Sequence, residues 1–131
     1  MPYSTEFEDE GKGILHVGRG VVTGEELFAS ANRVLGRVKE GLSPSYAIVD
    51  LSEVVEMRVS AEEIRLNVDV NIEISKYVRN GRVAIVAPKD YIYGLARMWQ
   101  AYSEETGWST RVFRNKREAD EWIKGPEERP V

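Results

Sequence analysis

Residues 60–81 read SAEEIRLNVDVNIEISKYVRNG, and this stretch decides the fold. Residues 64–74 alternate apolar and polar side chains without interruption and are rich in β-branched residues, a pattern typical of a β-strand. The flanks indicate a helix instead, because Ser60 followed three positions later by Glu63 is a capping box, and Asn80-Gly81 is a helix stop. We therefore predict a helix over Ser60–Asn80.

Short apolar runs lie on either side of this helix and further along the chain. Tyr46–Leu51, Arg82–Ala87 and Thr110–Phe113 each predict a buried strand. Parallel strands of one sheet need a crossover of about a dozen or more residues, and a helix at 60–80 supplies it between the first two strands. The predicted sheet is therefore mainly parallel.

The other helices carry similar start and stop signals. A side-chain oxygen that can cap the first turn precedes each amphipathic stretch, and a glycine follows it. The predicted caps are Thr23, Ser60, Asp90 and Asn115, and the predicted stops are Gly41, Gly81, Gly107 and Gly125. Helices are therefore expected at Thr23–Glu40, from Asp90 onwards, and at Lys116–Lys124.

The segments before the first helix predict a β-hairpin. Tyr3–Asp9 and Gly13–Val22 are strand-like, and Gly11 suits the turn between them. Together the elements predict a single α/β domain over residues 1–125. It has an N-terminal β-hairpin, then alternating helices and strands, with a mainly parallel or mixed sheet and about four helices. Residues 126–131 are expected to form a flexible C-terminal tail.

Composition excludes several classes of function. The 131 residues include 18 Lys and Arg against 22 Asp and Glu, a net charge of −4, which argues against nucleic-acid binding. The absence of cysteine excludes disulfides and thiolate chemistry. No apolar run reaches the roughly 20 residues of a transmembrane helix, and the start does not resemble a signal peptide. We therefore expect a cytoplasmic protein.

Candidate catalytic groups are few. His16 is the single histidine and lies on a predicted strand, where a structural or surface role is expected because no carboxylate spacing around it suggests a metal site. The glycines of Gly18–Gly24 do not fit the dinucleotide-binding pattern, because Thr23 stands at its last glycine position. The sequence thus predicts a non-enzymatic protein without cofactor or metal.

The predicted helix 60–80 carries two apolar stripes at about 100° per residue. The stripe expected to cover the sheet contains Ala61, Ile64, Val68 and Ile72. The stripe expected to lie outside contains Leu66, Val70, Ile74 and Tyr77. An uncovered apolar stripe indicates a partner surface, and we predict a homodimer contact there. The alternative is that the N-terminal arm or the 52–59 loop folds over it.

A second candidate surface is the edge where the parallel strands end, since ligands of open α/β sheets gather there. The residues expected at or near it are Asp50, Ser60, Lys89, Asp90, Tyr91 and Tyr93. Cations and helix amides would suit a small anion, whereas the alternative is that these residues are simply turns and caps. Arg97 and Trp99 follow on the third helix, where Trp99 and Trp108 either line an apolar opening or pack in the core.

The whole pattern resembles the SpoIIAA-like family, which has the STAS-like fold and is also described as STAS/SEC14-like. The residues that carry the resemblance are Gly81–Pro88, Tyr93–Met98, Val112–Arg114 and Glu118–Ile123. It implies a regulatory or scaffolding domain that acts through protein contacts. The SEC14-type likeness implies, as the alternative, a lipid-like or apolar ligand near Trp99 and Trp108.

Phosphorylated antagonists of this kind carry an Asp-Ser-Ser/Thr-Gly motif at the start of the second helix. Counted without gaps from Asp50-Leu51, this chain has Arg58-Val59-Ser60-Ala61 there. Valine stands at the phosphoacceptor position, so the resemblance does not extend to that switch. Ser60 keeps a hydroxyl, which its role as helix cap explains.

Overall fold

The computed structural model describes residues 2–126. Along the chain the elements are β1 (Tyr3–Glu8), a 3₁₀ turn (Asp9–Gly11), β2 (Gly13–Thr23), α1 (Gly24–Lys39), β3 (Tyr46–Arg58), α2 (Ala61–Ser75), β4 (Arg82–Val86), α3 (Asp90–Tyr102), a second 3₁₀ turn (Ser103–Thr106), β5 (Ser109–Phe113) and α4 (Lys116–Lys124). The predicted order of a hairpin followed by alternating helices and strands is confirmed.

The segment that decides the fold is a helix. The Ser60 hydroxyl accepts from the Glu63 amide at 3.1 Å, and the Glu63 carboxylate accepts from the Ser60 amide at 2.9 Å. This capping box satisfies amides of the first turn that have no partner within the helix. End signals of this kind override the strand-like alternation of residues 64–74, and the prediction of a helix is confirmed.

The five described strands form one mixed sheet in the order β1-β2-β3-β4-β5. β1 is antiparallel to β2, whereas β2, β3, β4 and β5 run parallel to one another. Alternate residues of β4 point to opposite faces, as the pleat requires. Val83 and Ile85 pack with α3, whereas Ala84 and Val86 pack with α4.

Ile14 lies on the same face as Val83 through the pairings of β2, β3 and β4, and it packs with α1 and α2. The helices α1, α2 and α3 therefore cover one face of the sheet, and α4 covers part of the other.

Two predicted boundaries and one predicted helix cap were wrong. β3 continues to Arg58 instead of ending at Leu51, because its second half pairs with β2 across two register shifts. α2 ends at Ser75 instead of Asn80, and Lys76 is its C-cap. Asp90 does not cap α3, since the N-cap is Lys89 and has no side-chain cap bond.

The predicted domain ends at residue 125, with a tail over residues 126–131. Residues 127–131 of the predicted tail lie outside the described residues. Arg82 donates to the carbonyls of Trp122, Gly125 and Pro126. The chain is therefore still anchored to β4 at residue 126, which was assigned to the tail.

Among residues 2–126, no helix is both long enough and apolar enough to cross a membrane.

Candidate functional site

Two interior cavities of about 90 Å³ each lie between the sheet and the helix layer. The first is bounded by β2, α1, α2 and the starts of β3 and β4, and the second lies beneath α3. The two cavities are neighbours, because four side chains line both of them: Tyr3, Leu27, Asn67 and Trp99.

The first cavity reaches the edge of the sheet where the parallel strands begin. Pro44, Ser45, Gly81 and Trp108 belong to its lining, and these residues immediately precede β3, β4 and β5. This is the edge opposite to the one at which a ligand was expected. Trp108 also lines a surface groove of about 350 Å³, so its indole stands between that groove and the interior.

A cluster of neutral polar side chains lies on the sheet side of the first cavity. Thr5 and His16 are cross-strand neighbours on β1 and β2, and the Thr5 hydroxyl lies 3.0 Å from His16 Nδ1. Ser30 of α1 completes the cluster, with its hydroxyl 2.6 Å from that of Thr5 and 3.2 Å from His16 Nδ1. Tyr3 stacks on the imidazole with ring centroids 5.6 Å apart.

The hydrogen bonds of this cluster favour one tautomer of the His16 ring. The two hydroxyl protons both find acceptors within the cluster when Nδ1 is the bare nitrogen, whereas a proton on Nδ1 would leave one hydroxyl without an acceptor there. Burial lowers the pKa of His16 to about 4, so the ring is neutral at neutral pH. The hydrogen bonds of the cluster therefore favour the neutral tautomer that carries its proton on Nε2.

Neither Nε2 of His16 nor the hydroxyl of Tyr3 has a hydrogen-bond partner among residues 2–126, and both atoms are accessible to water. Both residues line the first cavity. Burial raises the pKa of Tyr3 above its usual range, so its hydroxyl stays protonated. The cavity thus has two neutral donors on one wall.

Asn67 joins the three helices at the wall between the two cavities. Its amide donates to the Leu27 carbonyl of α1 at 2.9 Å, and its side-chain oxygen accepts from Trp99 Nε1 of α3 at 2.6 Å. Asn71, one turn further on, donates to the same oxygen at 3.2 Å. The position of Trp99 against the cavities is thus fixed by a buried polar group of α2.

The residues predicted at the carboxyl edge do not converge on one site. Lys89 donates to the Val54 carbonyl at 2.8 Å, and Asp90 accepts from Arg114 at 2.7 Å. Arg114 also lies 4.0 Å over the ring of Tyr93, and Tyr91 accepts from the Met57 amide at 2.8 Å. All of these contacts are made within the chain. They favour the alternative that the residues belong to turns and helix ends and do not form a ligand site.

The other predicted site residues are dispersed. Asp50 lies within β3 and accepts from the amide of Ser52, and Ser60 is occupied by its capping box. Arg97 is exposed on α3 beside the surface groove that Trp108 borders. Of the eight residues predicted to bind a ligand, Trp99 alone lines the interior cavities.

The outer stripe of α2 is partly covered, which corrects the expectation that all of it lies outside. Val70 and Ile74 are buried against Ala31 and Val34 of α1. α1 approaches this closely because Gly24 has no side chain, and a Cβ there would lie 2.3 Å from the Glu63 carboxylate. Because Val70 and Ile74 are already buried against α1 of the same chain, they do not belong to the predicted homodimer contact.

Leu66 and Tyr77 of the same stripe remain exposed, at 46% and 48%. Phe28 of α1 is 42% exposed. Since Leu27 and Asn67 are hydrogen-bonded, their chain neighbours Phe28 and Leu66 flank the same contact between the helices. We call Phe28, Leu66 and Tyr77 the outer groove.

Sequence reasoning missed His16, Asn67 and Asn71 as cavity residues. The inward face of α2 follows Ile64, Asn67, Asn71 and Ile74, a spacing of three and four residues that includes two polar positions. A search for uniformly apolar stripes passes over such a face. The two asparagines one turn apart were the signal that could have revealed it.

The comparisons with known proteins bear on the fold. No protein-family model and no curated protein matches the sequence. Among solved structures, the anti-sigma factor antagonist SpoIIAA in its unphosphorylated form matches with a TM-score of 0.62 at 11% identity, covering 95% of this chain and 99% of that one. The phosphorylated SpoIIAA, a Bacillus cell fate determinant, matches with a TM-score of 0.60 at 11% identity, covering 93% and 99%.

A third structure is a DUF3478-family protein with a SpoIIAA-like fold from Shewanella loihica PV-4. It matches with a TM-score of 0.60 at 19% identity, covering 92% of this chain and 91% of that one. The chain therefore has the SpoIIAA-like, STAS-like fold that the sequence resemblance predicts.

Proposed function

We propose that this SpoIIAA-like domain is a cytoplasmic, non-enzymatic regulatory or scaffolding module that acts through protein contacts, and that a second copy of the chain docks on its outer groove. The observation that carries the proposal is the exposure of three large apolar side chains, namely Phe28 and Leu66 beside the contact between α1 and α2, and Tyr77 just beyond the end of α2. Apolar side chains grouped in this way mark association surfaces more often than isolated ones do.

The charges along α2 support a two-fold contact with antiparallel helices. Glu62 precedes Leu66, whereas Lys76 and Arg79 flank Tyr77. Lys76 is also paired to Glu73 of the same chain at 2.9 Å. Leu66 and Tyr77 are 11 positions apart, about 16 Å if helical rise continued between them. Antiparallel pairing about the midpoint would place Leu66 against Tyr77 of the partner subunit, and acidic ends against basic ends.

The regulatory role is carried over from the SpoIIAA structures, which are described as an anti-sigma factor antagonist and a cell fate determinant. The side chains of this chain are consistent with a role without catalysis. The single histidine is held by two hydroxyl groups and not by a carboxylate. Among residues 2–126, no group of three or more histidines and carboxylates could hold a metal ion.

Sedimentation velocity tests the dimer. We expect the 14.9 kDa chain to sediment as a dimer at micromolar concentration, and Leu66→Asp to convert it to a monomer with at least a tenfold weaker association. A dimer of ordinary stability buries about 800 Å² per partner, and a charge in the middle of so small an area has a large effect.

Val55→Asp is the matched control, since Val55 is 67% exposed on β3 and lies outside the outer groove. It should leave the dimer intact. The proposal fails if the wild type is monomeric at high micromolar concentration, or if both variants weaken association equally.

A second candidate function is the binding of a small apolar molecule, and the interior cavity favours it. Its lining is mainly apolar and includes Trp99 and Trp108, the two residues associated with an apolar opening from the sequence. A preformed apolar cleft with a few polar groups is the usual form of a small-molecule site. Such a site would lie at the amino edge of the strands, whereas the sequence predicts a ligand at the carboxyl edge.

A further inference from the structure

The wall of the first cavity points to a specific class of ligand, an inference that rests on the second candidate function. We infer that the cavity binds a compact neutral molecule with an apolar body and one hydrogen-bond acceptor, and that His16 Nε2 and the Tyr3 hydroxyl donate to that acceptor. A carbonyl, ether or hydroxyl oxygen has the required chemistry. No residue of this pair was identified as a ligand contact from the sequence.

The two donors are available because their neighbours are otherwise engaged. Thr5 and Ser30 hold Nδ1 of His16, which leaves the opposite edge of the ring to the cavity. Stacking fixes Tyr3 on the face of the imidazole. Both donors are accessible to water, so an apolar ligand that displaced the water would leave them unpaired, whereas a ligand oxygen accepts from them.

The remaining wall selects for an apolar body. Ile14, Val34, Ile74 and Val83 belong to the lining, together with the two indoles. The indole nitrogens are already used, since Trp99 donates to Asn67 and Trp108 donates to the Val78 carbonyl at 2.9 Å. Beyond Tyr3 and His16, most of the lining offers the ligand hydrocarbon and ring faces. The amide NH2 groups of Asn67 and Asn71 also belong to the lining, but they already donate within the protein.

The charge of the lining and the volume of the cavity restrict the class of ligand further. Arg82, the cation in the lining, donates to three backbone carbonyls near α4, so it is engaged away from a ligand in the cavity. An ion in this space would lack a counter-charge, which disfavours it. A dry cavity of about 150 Å³ holds benzene, so a chamber of about 90 Å³ with an open mouth suits a small ring that extends towards that mouth.

Matched probes and variants of the full chain test the inference. Cyclopentanone and cyclopentane have rings of the same size, and only the ketone has an acceptor. In ¹H–¹⁵N spectra we expect the ketone to shift the indole resonances of Trp99 and Trp108 in a saturable way. His16→Phe, which keeps a flat ring and removes the donor, should weaken ketone binding about 3–10-fold and leave cyclopentane binding unchanged.

A second donor variant and a control variant complete the test. Tyr3→Phe removes the second donor while keeping the stacked ring, so it should also weaken ketone binding selectively if His16→Phe fails to fold. Tyr77→Phe removes a hydroxyl outside the cavity and should change nothing. Equal loss of ketone and hydrocarbon binding in both donor variants would overturn the acceptor site but keep a ligand cavity. Indole resonances that respond to neither probe would mean a cavity that holds water alone, and the second candidate function would then fail as well.

Discussion

The stability of the protein should fall steeply in mild acid because of His16. The pKa of His16 is about 4 in the folded chain, against 6.5 for an ordinary histidine. Between these values the unfolded chain binds a proton that the folded chain excludes, so the stabilisation is present above pH 6.5 and is lost as the pH falls towards 4. The 2.5-unit difference corresponds to about 3 kcal/mol of unfolding free energy.

The physical cause is the neutral surroundings of the ring. Thr5, Ser30 and Tyr3 contact the imidazole, and none of them carries a charge that could stabilise a protonated ring. The ring is half-buried and lines the first cavity. Protonation would therefore place a cation in a poorly solvated site and would remove the acceptor that holds the hydroxyl groups.

Urea unfolding of the wild type and His16→Gln at a series of pH values checks this prediction. The variant keeps a neutral polar side chain and retains all 22 acidic residues. Subtraction of the two curves therefore removes the contribution of the carboxylates. The difference in unfolding free energy should shrink by about 3 kcal/mol between about pH 7 and pH 4. Parallel curves would show that His16 titrates normally.

Asn67→Leu should destabilise the domain by about 2–3 kcal/mol. The substitution keeps the approximate size of the side chain but leaves Trp99 Nε1 without its acceptor and Leu27 without a side-chain donor. A donor left unpaired in the interior lowers the free energy of unfolding by more than an ordinary hydrogen bond raises it, because the donor has also lost its bond to water. The three helices would also lose the group that links them.

Asn71→Leu is the matched control, one turn further along the same face of α2. The Asn71 amide donates to Asn67, whose carbonyl and side-chain oxygens are its two acceptors. Its replacement leaves Trp99 and Leu27 paired and should cost less than about 1 kcal/mol. Denaturant unfolding gives both values, and equal losses in the two variants would contradict the role assigned to Asn67.

The fold could be predicted where its signals are local. Thr23, Ser60 and Asn115 each accept from an amide of the helix that follows, as the sequence indicates. Asp90 did not follow this rule, because Arg114 holds its carboxylate from a distant segment. β3 was predicted too short since its two register shifts break the alternation by which a strand is recognised.

The cavity could not be predicted in the same way. Tyr3, His16, Asn67 and Trp99 come from β1, β2, α2 and α3, and they meet through strand pairing and helix packing that one segment does not encode. The prediction for the outer stripe of α2 was partly wrong for a related reason. Helical spacing gives the direction of Val70 and Ile74, but their burial depends on how closely α1 approaches, and the first turn of α1 lies close to Glu63 because Gly24 has no side chain.

The central claim is that a second copy of the chain docks on the outer groove, and isotope-filtered NMR tests it most directly. A mixture of ¹³C-labelled and unlabelled chains reports contacts between protomers without contacts inside one of them. We predict intermolecular NOEs between the Leu66 methyl groups and the ring of Tyr77 of the partner subunit. Their absence in a sample that sediments as a dimer, with contacts at Val55 or Val21 in their place, would contradict the account.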